Sequence, residues 1–277
     1  MSDAPKPVGA LVTSAIDAYK VRWRPLTAIG VLATAPVALL EAGISLANNR
    51  DPFAGATSPA DPQAAVIGAE ALIPALLSLV LFSLASAACV HLVAEGREGR
   101  DVSWGGALRV GARRAPGVLA ASVIVLVVVV LGLLALVVPG VWLAVALSLT
   151  TPALVLERLG PVAAMRRSFA LVLGAWWRTA AVIGLGIVVA IGLVLLVVVP
   201  ATALALTTDS LGVRVAISAL ADTIGSALLL PFSVVLLTLL YLDRRDHEPG
   251  GRPAGQRALP EDEGASFGGF APPAAPR

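Results

Sequence analysis

The stretch that decides the fold is residues 139–178, PGVWLAVALSLTTPALVLERLGPVAAMRRSFALVLGAWWR. It opens with a Pro-Gly pair, which is typical of a turn, and continues as an apolar run from Val141 to Leu156. A polar break at Glu157 follows, and then a basic segment that ends in Trp176-Trp177-Arg178. The pattern predicts a chain that turns at one face of a membrane, crosses it, lies along the other face and enters again.

The composition of the whole chain also indicates a membrane protein. Hydrophobic residues make up 57% of the chain and charged residues only 14%, whereas roughly 25% is usual in soluble domains. Such a chain has too little polar surface to cover a soluble globule. Cys89 is the one cysteine, which excludes an intrachain disulfide. The preference for Arg over Lys, with abundant Ala, Val, Gly and Pro, favours a bacterial origin.

Six apolar runs are long enough to be spans of one membrane domain over residues 8–242. The predicted spans are about 26–47, 64–93, 116–138, 141–156, 179–206 and 215–242. The fourth reaches only ~24 Å, so it requires local thinning of the bilayer or a partly re-entrant path. Residues 1–7 and the tail, 243–277, are predicted to be disordered because the tail is rich in Gly, Pro and charge.

The predicted fold class is therefore an all-α integral membrane protein with six transmembrane helices. Roughly three cytoplasmic interfacial amphipathic helices are expected before spans one, three and five. Trp23-Arg24 and then Ile29-Gly30 recur at the same spacing as Trp177-Arg178 and then Ile183-Gly184. This predicts three parallel helix-hairpin modules, 8–93, 103–157 and 160–242. The alternative is that the positive-inside rule alone produces three basic entries.

Lys and Arg predict the orientation. Of the 20 basic residues, all but Arg50 and Arg214 fall in the N-terminal segment, the loops after spans two and four, and the tail. Both termini are therefore expected in the cytoplasm, with the protein in the plasma membrane as a multi-pass protein. The first apolar run is long enough to span, so we expect no cleaved signal peptide.

The opening stretch resembles the membrane domain associated with glycerophosphoryl diester phosphodiesterases. The resemblance rests on the Pro-Gly turn, an apolar run ending near a Glu, a Gly-Pro with an Ala-x-Arg-Arg-Ser segment, and a Gly-x-Trp-Trp-Arg entry. The matching positions include Pro139, Gly140, Glu157, Ser168, Trp176 and Trp177. In fused members of that family a catalytic barrel follows the membrane domain. Only a 35-residue tail follows span six here, so we expect a stand-alone member without phosphodiesterase activity.

Motifs for catalysis or cofactor binding are missing from the sequence. It contains no phosphate-binding loop, nucleophile elbow, zinc motif or dinucleotide fingerprint. His91 and His247 are the two histidines, and they lie far apart in the chain. We therefore expect no enzymatic activity, no cofactor or metal, and no nucleic-acid partner.

Three acidic residues lie inside predicted spans: Glu41, Glu70 and Asp222. Each is six to eight residues from the non-cytoplasmic end of its predicted span, or ~9–12 Å deep. Ionisable residues at such depth indicate a functional site. They are expected to converge on a polar cavity that faces outward. The alternative is that each snorkels, is protonated or bonds a neighbouring helix.

A second candidate is a cytoplasmic basic surface, which attracts anionic lipid headgroups. Its alternative role is to set the topology. On the amphipathic segment after Gly160, the predicted apolar face holds Val162, Met165, Phe169, Val172 and Trp176. The residues of the basic surface are Arg109, Arg113, Arg114, Arg166, Arg167 and Arg178.

Three classes of function remain open. The first is a membrane accessory or scaffold that contacts lipids or partner membrane proteins, favoured by the short loops. The second is a small transporter, channel or lipid-handling protein that uses the outer-leaflet carboxylates. The third, a membrane-embedded enzyme, is disfavoured because no two reactive side chains sit at motif spacing. A cavity lined by the three acids favours transport, and a closed bundle favours the scaffold.

Overall fold

A computed structural model describes residues 7–53, 63–100 and 103–247, without the side chains of residues 63–69. Most residues of the two ends that are predicted to be disordered, 1–7 and 243–277, lie outside the described ranges. The last helix runs to Asp246, four residues further than the predicted span, so the start of the predicted tail is helical.

The regular secondary structure of the described residues is entirely α-helical, which confirms the predicted class. Six segments are long and apolar enough to cross a membrane: α2, α3 from Glu70, α4, α5 with α6, α8, and α9. The helices are α1 Val8–Val21, α2 Trp23–Ala47, α3 Gln63–Arg97, α4 Trp104–Ala135, α5 Val137–Leu147, α6 Thr150–Leu156, α7 Pro161–Leu173, α8 Trp176–Ala205 and α9 Leu211–Asp246.

The helices bury their side chains unevenly along their length. The fully buried residues concentrate in 85–93 of α3, 145–155 of α5 and α6, and 230–243 of α9, with α1 and α7 packed beside them. We call this half of the bundle the basic half, because the C-terminal ends of α3 and α9 and the N-terminal end of α4 lie in it. The open half contains the C-terminal part of α2 and the N-terminal parts of α3 and α9, where large apolar side chains are exposed.

One close approach fixes α2 against α9 at the boundary of the two halves. Pro231 has no N–H, so the carbonyl of Ala227 loses its helical donor. That carbonyl faces Gly30, where an added Cβ atom would lie 2.6 Å from the Ala227 oxygen and 2.9 Å from its Cα. Gly30 thus allows the two backbones to meet, in the way small residues do in membrane helix pairs.

The predicted interfacial helices are only partly separate elements. Helices α1 and α7 each end before the following spanning helix begins. The helix predicted before span three is instead continuous with that span in α4, and Pro116 lies inside it. Ser103 caps α4, since its Oγ accepts from the Gly106 N–H at 3.2 Å. The three-module interpretation stays a prediction, because the second module lacks a separate helix.

The turn before span four is displaced from the predicted position. The break between α4 and α5 is at Leu136, which is extended, with φ −164° and ψ 140°. Pro139 and Gly140 therefore lie in the first turns of α5, where proline is tolerated. The fourth span consequently has 20 residues, Val137–Leu156, or ~30 Å, and the predicted shortfall in length is wrong. The span is broken in the middle, at Ser148 and Leu149.

The hairpin of α4 and α5 leans towards the start of α8. The Trp176 indole N–H donates to the Trp142 carbonyl at 3.4 Å. Val137 and Val138, at the hairpin tip, line the same groove of about 450 Å³ as Trp176 and Trp177. The tip of the hairpin and the tryptophan pair therefore share one groove, whereas the sequence predicts that they lie at opposite faces of the membrane.

Candidate functional site

A polar cavity lies in the open half, between α2, α3 and α9. Its volume is about 560 Å³, within the range of small-molecule sites. Each of the three helices carries a proline within or close to the lining segment: Pro36, Pro74 and Pro231. Each proline removes a helical hydrogen bond and so frees a backbone carbonyl near the cavity.

Two of the three predicted acids line this cavity. Glu41 of α2 lies six residues from Ala47, and Asp222 of α9 lies eleven residues from Leu211, or about 9 and 16 Å at 1.5 Å per residue. Both side chains are exposed to the surroundings of the protein. Neither has an ion pair or hydrogen bond with any other described residue. The cavity therefore contains two carboxylates without a basic partner in the described part of the chain.

Hydroxyl groups complete the polar lining, and most of them present acceptors. Thr34, Ser78 and Ser233 donate to backbone carbonyls of their own helices, at 3.0, 2.8 and 2.9 Å. Because each proton is used in this way, only the oxygen lone pairs remain for the cavity. Ser226 also lines it. With the two carboxylates, the lining is rich in acceptor oxygens, which suits a cation or an ammonium group.

The apolar part of the lining further restricts the class of ligand that fits the cavity. Phe82, Leu229 and Leu230 contribute most of the large apolar side chains. Among the described residues, no group of three or more His, Cys, Asp or Glu is placed to hold a metal ion. A cavity of this size with apolar walls and clustered acceptors suits an organic cation with a hydrocarbon part.

The third predicted acid, Glu70, lies elsewhere. Its carboxylate accepts from Arg50 at 2.5 Å and from the Asn48 side-chain amide at 3.3 Å. Close by in the chain, Asp51 pairs with Arg214 at 2.8 Å. These contacts join the loop after α2 to the starts of α3 and α9. The expectation that all three acids converge is therefore met by Glu41 and Asp222 only, since Arg50 holds Glu70 in an ion pair.

The six predicted basic residues divide into two groups. Arg167 donates from Nε to both carboxylate oxygens of Glu157, at 3.1 Å. Arg178 donates to Asp243 at 2.7 Å. The other four make no hydrogen bond or ion pair with described residues, and three of them are exposed while Arg114 is half-buried. These four are Arg109, Arg113, Arg114 and Arg166.

The motif positions of the opening stretch hold the broken fourth span against α7. The Ser168 hydroxyl donates to the Ala146 carbonyl at 2.8 Å and accepts from the Leu149 N–H at 3.1 Å, which satisfies backbone groups at the break. Gly140 packs against Leu133 of α4. Trp177 is 81% exposed. Glu157, Ser168, Trp176 and Gly140 therefore have structural roles in these contacts.

Helix α7 buries a face that is rotated from the predicted one and shares Val172 with it. Ala164, Ser168, Leu171 and Val172 are buried, whereas Val162 is 55% exposed. The anchoring of Ser168 at the break in the fourth span sets this rotation, and the small Ala164 allows close packing. Phe169 remains in contact with Trp142, with ring centroids 5.4 Å apart in an edge-to-face arrangement.

Two residues of the basic half were missed by sequence reasoning. Tyr241, fully buried, donates its hydroxyl proton to Glu157, and Asp243, 4% exposed, receives Arg178. Their signal was the polar sequence Tyr241-Leu242-Asp243 at the end of an apolar run, which resembles an ordinary span boundary.

On α1, burial and the nearby Cys89 thiol raise the pKa of Tyr19 to about 12, so this phenol stays protonated.

No known protein family, curated protein or solved structure matches the chain. The resemblance to the phosphodiesterase-associated membrane domain accordingly stays a prediction.

Proposed function

We propose that this multi-pass membrane protein binds a small organic cation in the cavity of Glu41 and Asp222, as a small transporter or lipid-handling protein. The observation that carries the proposal is the pair of carboxylates without a basic partner among the described residues. A charge at this depth costs free energy unless water or an opposite charge compensates it. A ligand ammonium group supplies that compensation, and the cavity provides apolar walls for its hydrocarbon part.

The expected chemistry follows from the lining. Glu41 and Asp222 attract the positive charge, while the oxygens of Thr34, Ser78 and Ser233 accept its N–H protons. A primary ammonium should therefore bind more tightly than a quaternary one of equal chain length, because only the former donates hydrogen bonds. A neutral alcohol of the same length should bind weakly, since it lacks the charge.

Binding of octylammonium to the purified protein, measured by isothermal titration calorimetry, tests the proposal. The double variant Glu41→Gln, Asp222→Asn should lower the affinity at least about tenfold, because two charged contacts are removed. Glu70→Gln is the matched control, since its carboxylate pairs with Arg50 outside the cavity lining. Equal affinity of the wild-type protein for octylammonium and octanol would contradict the proposal.

We further propose that the protein lies in the plasma membrane with both termini in the cytoplasm and the cavity towards the outer leaflet. The distribution of basic residues supports this orientation. Single cysteines introduced into the Cys89→Ala protein test the orientation. Asp209→Cys should react with an impermeant maleimide in intact cells, whereas Arg100→Cys should react only after lysis. The reverse pattern would contradict the proposed orientation.

A second candidate is an accessory or scaffold for other membrane proteins. The specific observation is the exposed apolar surface of α8, which includes Ile187, Val188, Ile191 and Leu195. Lipid covers such a surface, and so does a partner helix. If a partner covers it, substituting these four residues by alanine should abolish co-purification of a defined partner from native membranes. Alanines on the exposed face of α4, at Leu126 and Leu131, are the control.

A further inference from the structure

The strongest additional feature is a set of arginines on the first turns of α4. Arg109 and Arg113 are one helical turn apart and exposed, and Arg114 adjoins them half-buried. None of the three bonds a described residue. Elsewhere in the basic half, arginines do find acids: Arg97 pairs with Asp246 at 3.2 Å, and Arg100 pairs with Glu95 and Glu98.

The rotation of α4 explains why Arg109 and Arg113 point away from the bundle. Gly111 and Ala107 are buried on the opposite face. An added Cβ atom at Gly111 would lie 2.8 Å from the Leu84 carbonyl oxygen of α3. This close backbone contact holds α4 in one rotation against α3, so Arg109 and Arg113 stay on the outer face.

The position of the arginines along α4 sets their level in the membrane. The uninterrupted apolar part of the helix begins after Pro116 and continues to Ala135. Arg113 is three residues before Pro116 and Arg109 seven, or about 5 and 10 Å along the helix axis. Arginines next to a spanning segment lie at the level of lipid phosphates.

We infer that Arg109, Arg113 and Arg114 form a binding site for the headgroup phosphate of an anionic phospholipid. A guanidinium binds two phosphate oxygens at once, which an ammonium cannot reproduce. If these arginines only determined the membrane topology, their positive charge alone would be enough. The site therefore predicts a preference for anionic lipid that depends on arginine itself, and it does not rest on the proposed ligand cavity.

The test is retention of phosphatidylglycerol against phosphatidylcholine by the purified full chain, read by native mass spectrometry from mixed micelles. The wild-type protein should retain phosphatidylglycerol about tenfold better, and Arg109→Gln, Arg113→Gln, Arg114→Gln should remove most of this preference. The matched control is Arg97→Gln, Arg100→Gln, Arg245→Gln, which removes the same charge from arginines that have acidic partners. It should keep the preference.

A triple lysine variant separates phosphate recognition from general attraction. Arg109→Lys, Arg113→Lys, Arg114→Lys should lower the preference at least about threefold although the charge is unchanged. The inference would be overturned if the wild-type protein showed no preference for phosphatidylglycerol. It would also be overturned if the control triple variant lost as much of that preference as the Gln triple variant, or if the lysine variant kept all of it. Competition by inorganic phosphate at the lipid concentration would overturn it too, since it would indicate a site for free phosphate.

Discussion

The acids buried in the basic half and the acids lining the cavity of the open half differ in their partners. In the basic half, Glu157 receives both Arg167 and Tyr241, and Asp243 receives Arg178. In the open half, Glu41 and Asp222 have no partner among the described residues and share a cavity of about 560 Å³. Charges within spanning segments are normally paired. The difference teaches that Glu157 and Asp243 stabilise the fold, whereas Glu41 and Asp222 retain charge that a ligand can compensate.

The largest effect is expected at Glu157. Glu157→Ala leaves Arg167 and the Tyr241 hydroxyl without their shared acceptor, and should lower the free energy of unfolding by about 3 kcal/mol. Thermal unfolding in detergent measures the change. Glu98→Ala, at an exposed carboxylate paired with Arg100, is the control and should change stability by less than about 1 kcal/mol. Similar losses in both variants would refute the assigned role of Glu157.

Gly30 tests the boundary between the halves. Gly30→Ala puts a methyl group against the Ala227 backbone, which cannot move as a side chain does, and should cost about 2 kcal/mol of stability. Gly43→Ala in the same helix is the control, because nothing lies within 4 Å of its added Cβ atom. Thermal unfolding of the two variants should separate clearly. A tolerated Gly30→Ala would show that α2 and α9 are not in backbone contact.

The two tyrosines, Tyr19 and Tyr241, allow a finer comparison within the basic half. Tyr241→Phe removes a hydrogen bond to a carboxylate and should cost about 1.5 kcal/mol. The Tyr19 hydroxyl is buried without a hydrogen-bond partner among the described residues, so Tyr19→Phe should be neutral or slightly stabilising. Equal effects on the melting temperature would argue against the Tyr241–Glu157 contact.

The smallest effect, and of opposite sign, is expected in the open half. Glu41→Gln with Asp222→Asn removes two uncompensated charges and should stabilise the ligand-free protein by up to about 1 kcal/mol. Differential scanning fluorimetry in the absence of amines measures this. A destabilised double variant would mean that the two carboxylates have structural partners, and would contradict the proposed ligand site.

The sequence predicted the helical class and the six long apolar segments because long apolar runs have one stable solution in a bilayer. It missed the turn at Leu136, since Pro139-Gly140 carries the stronger local turn signal although proline also fits the start of a helix. It grouped Glu70 with Glu41 and Asp222 by depth alone. The ion pair of Glu70 with Arg50 depends on a loop contact that the periodicity of the sequence does not encode. The hydrogen bond from Tyr241 to Glu157 joins residues 84 positions apart and is not encoded by periodicity either.

The most direct test of the ligand site is an experimental structure with bound ω-bromo-octylammonium, in which anomalous scattering locates the bromine. We predict the ammonium nitrogen within hydrogen-bond distance of the Glu41 or Asp222 carboxylate, and the bromine beside Phe82, Leu229 and Leu230. The Glu41→Gln, Asp222→Asn protein should show neither. Bromine found only in the groove of Trp142 and Trp176, with the acid cavity empty of ligand, would contradict the account.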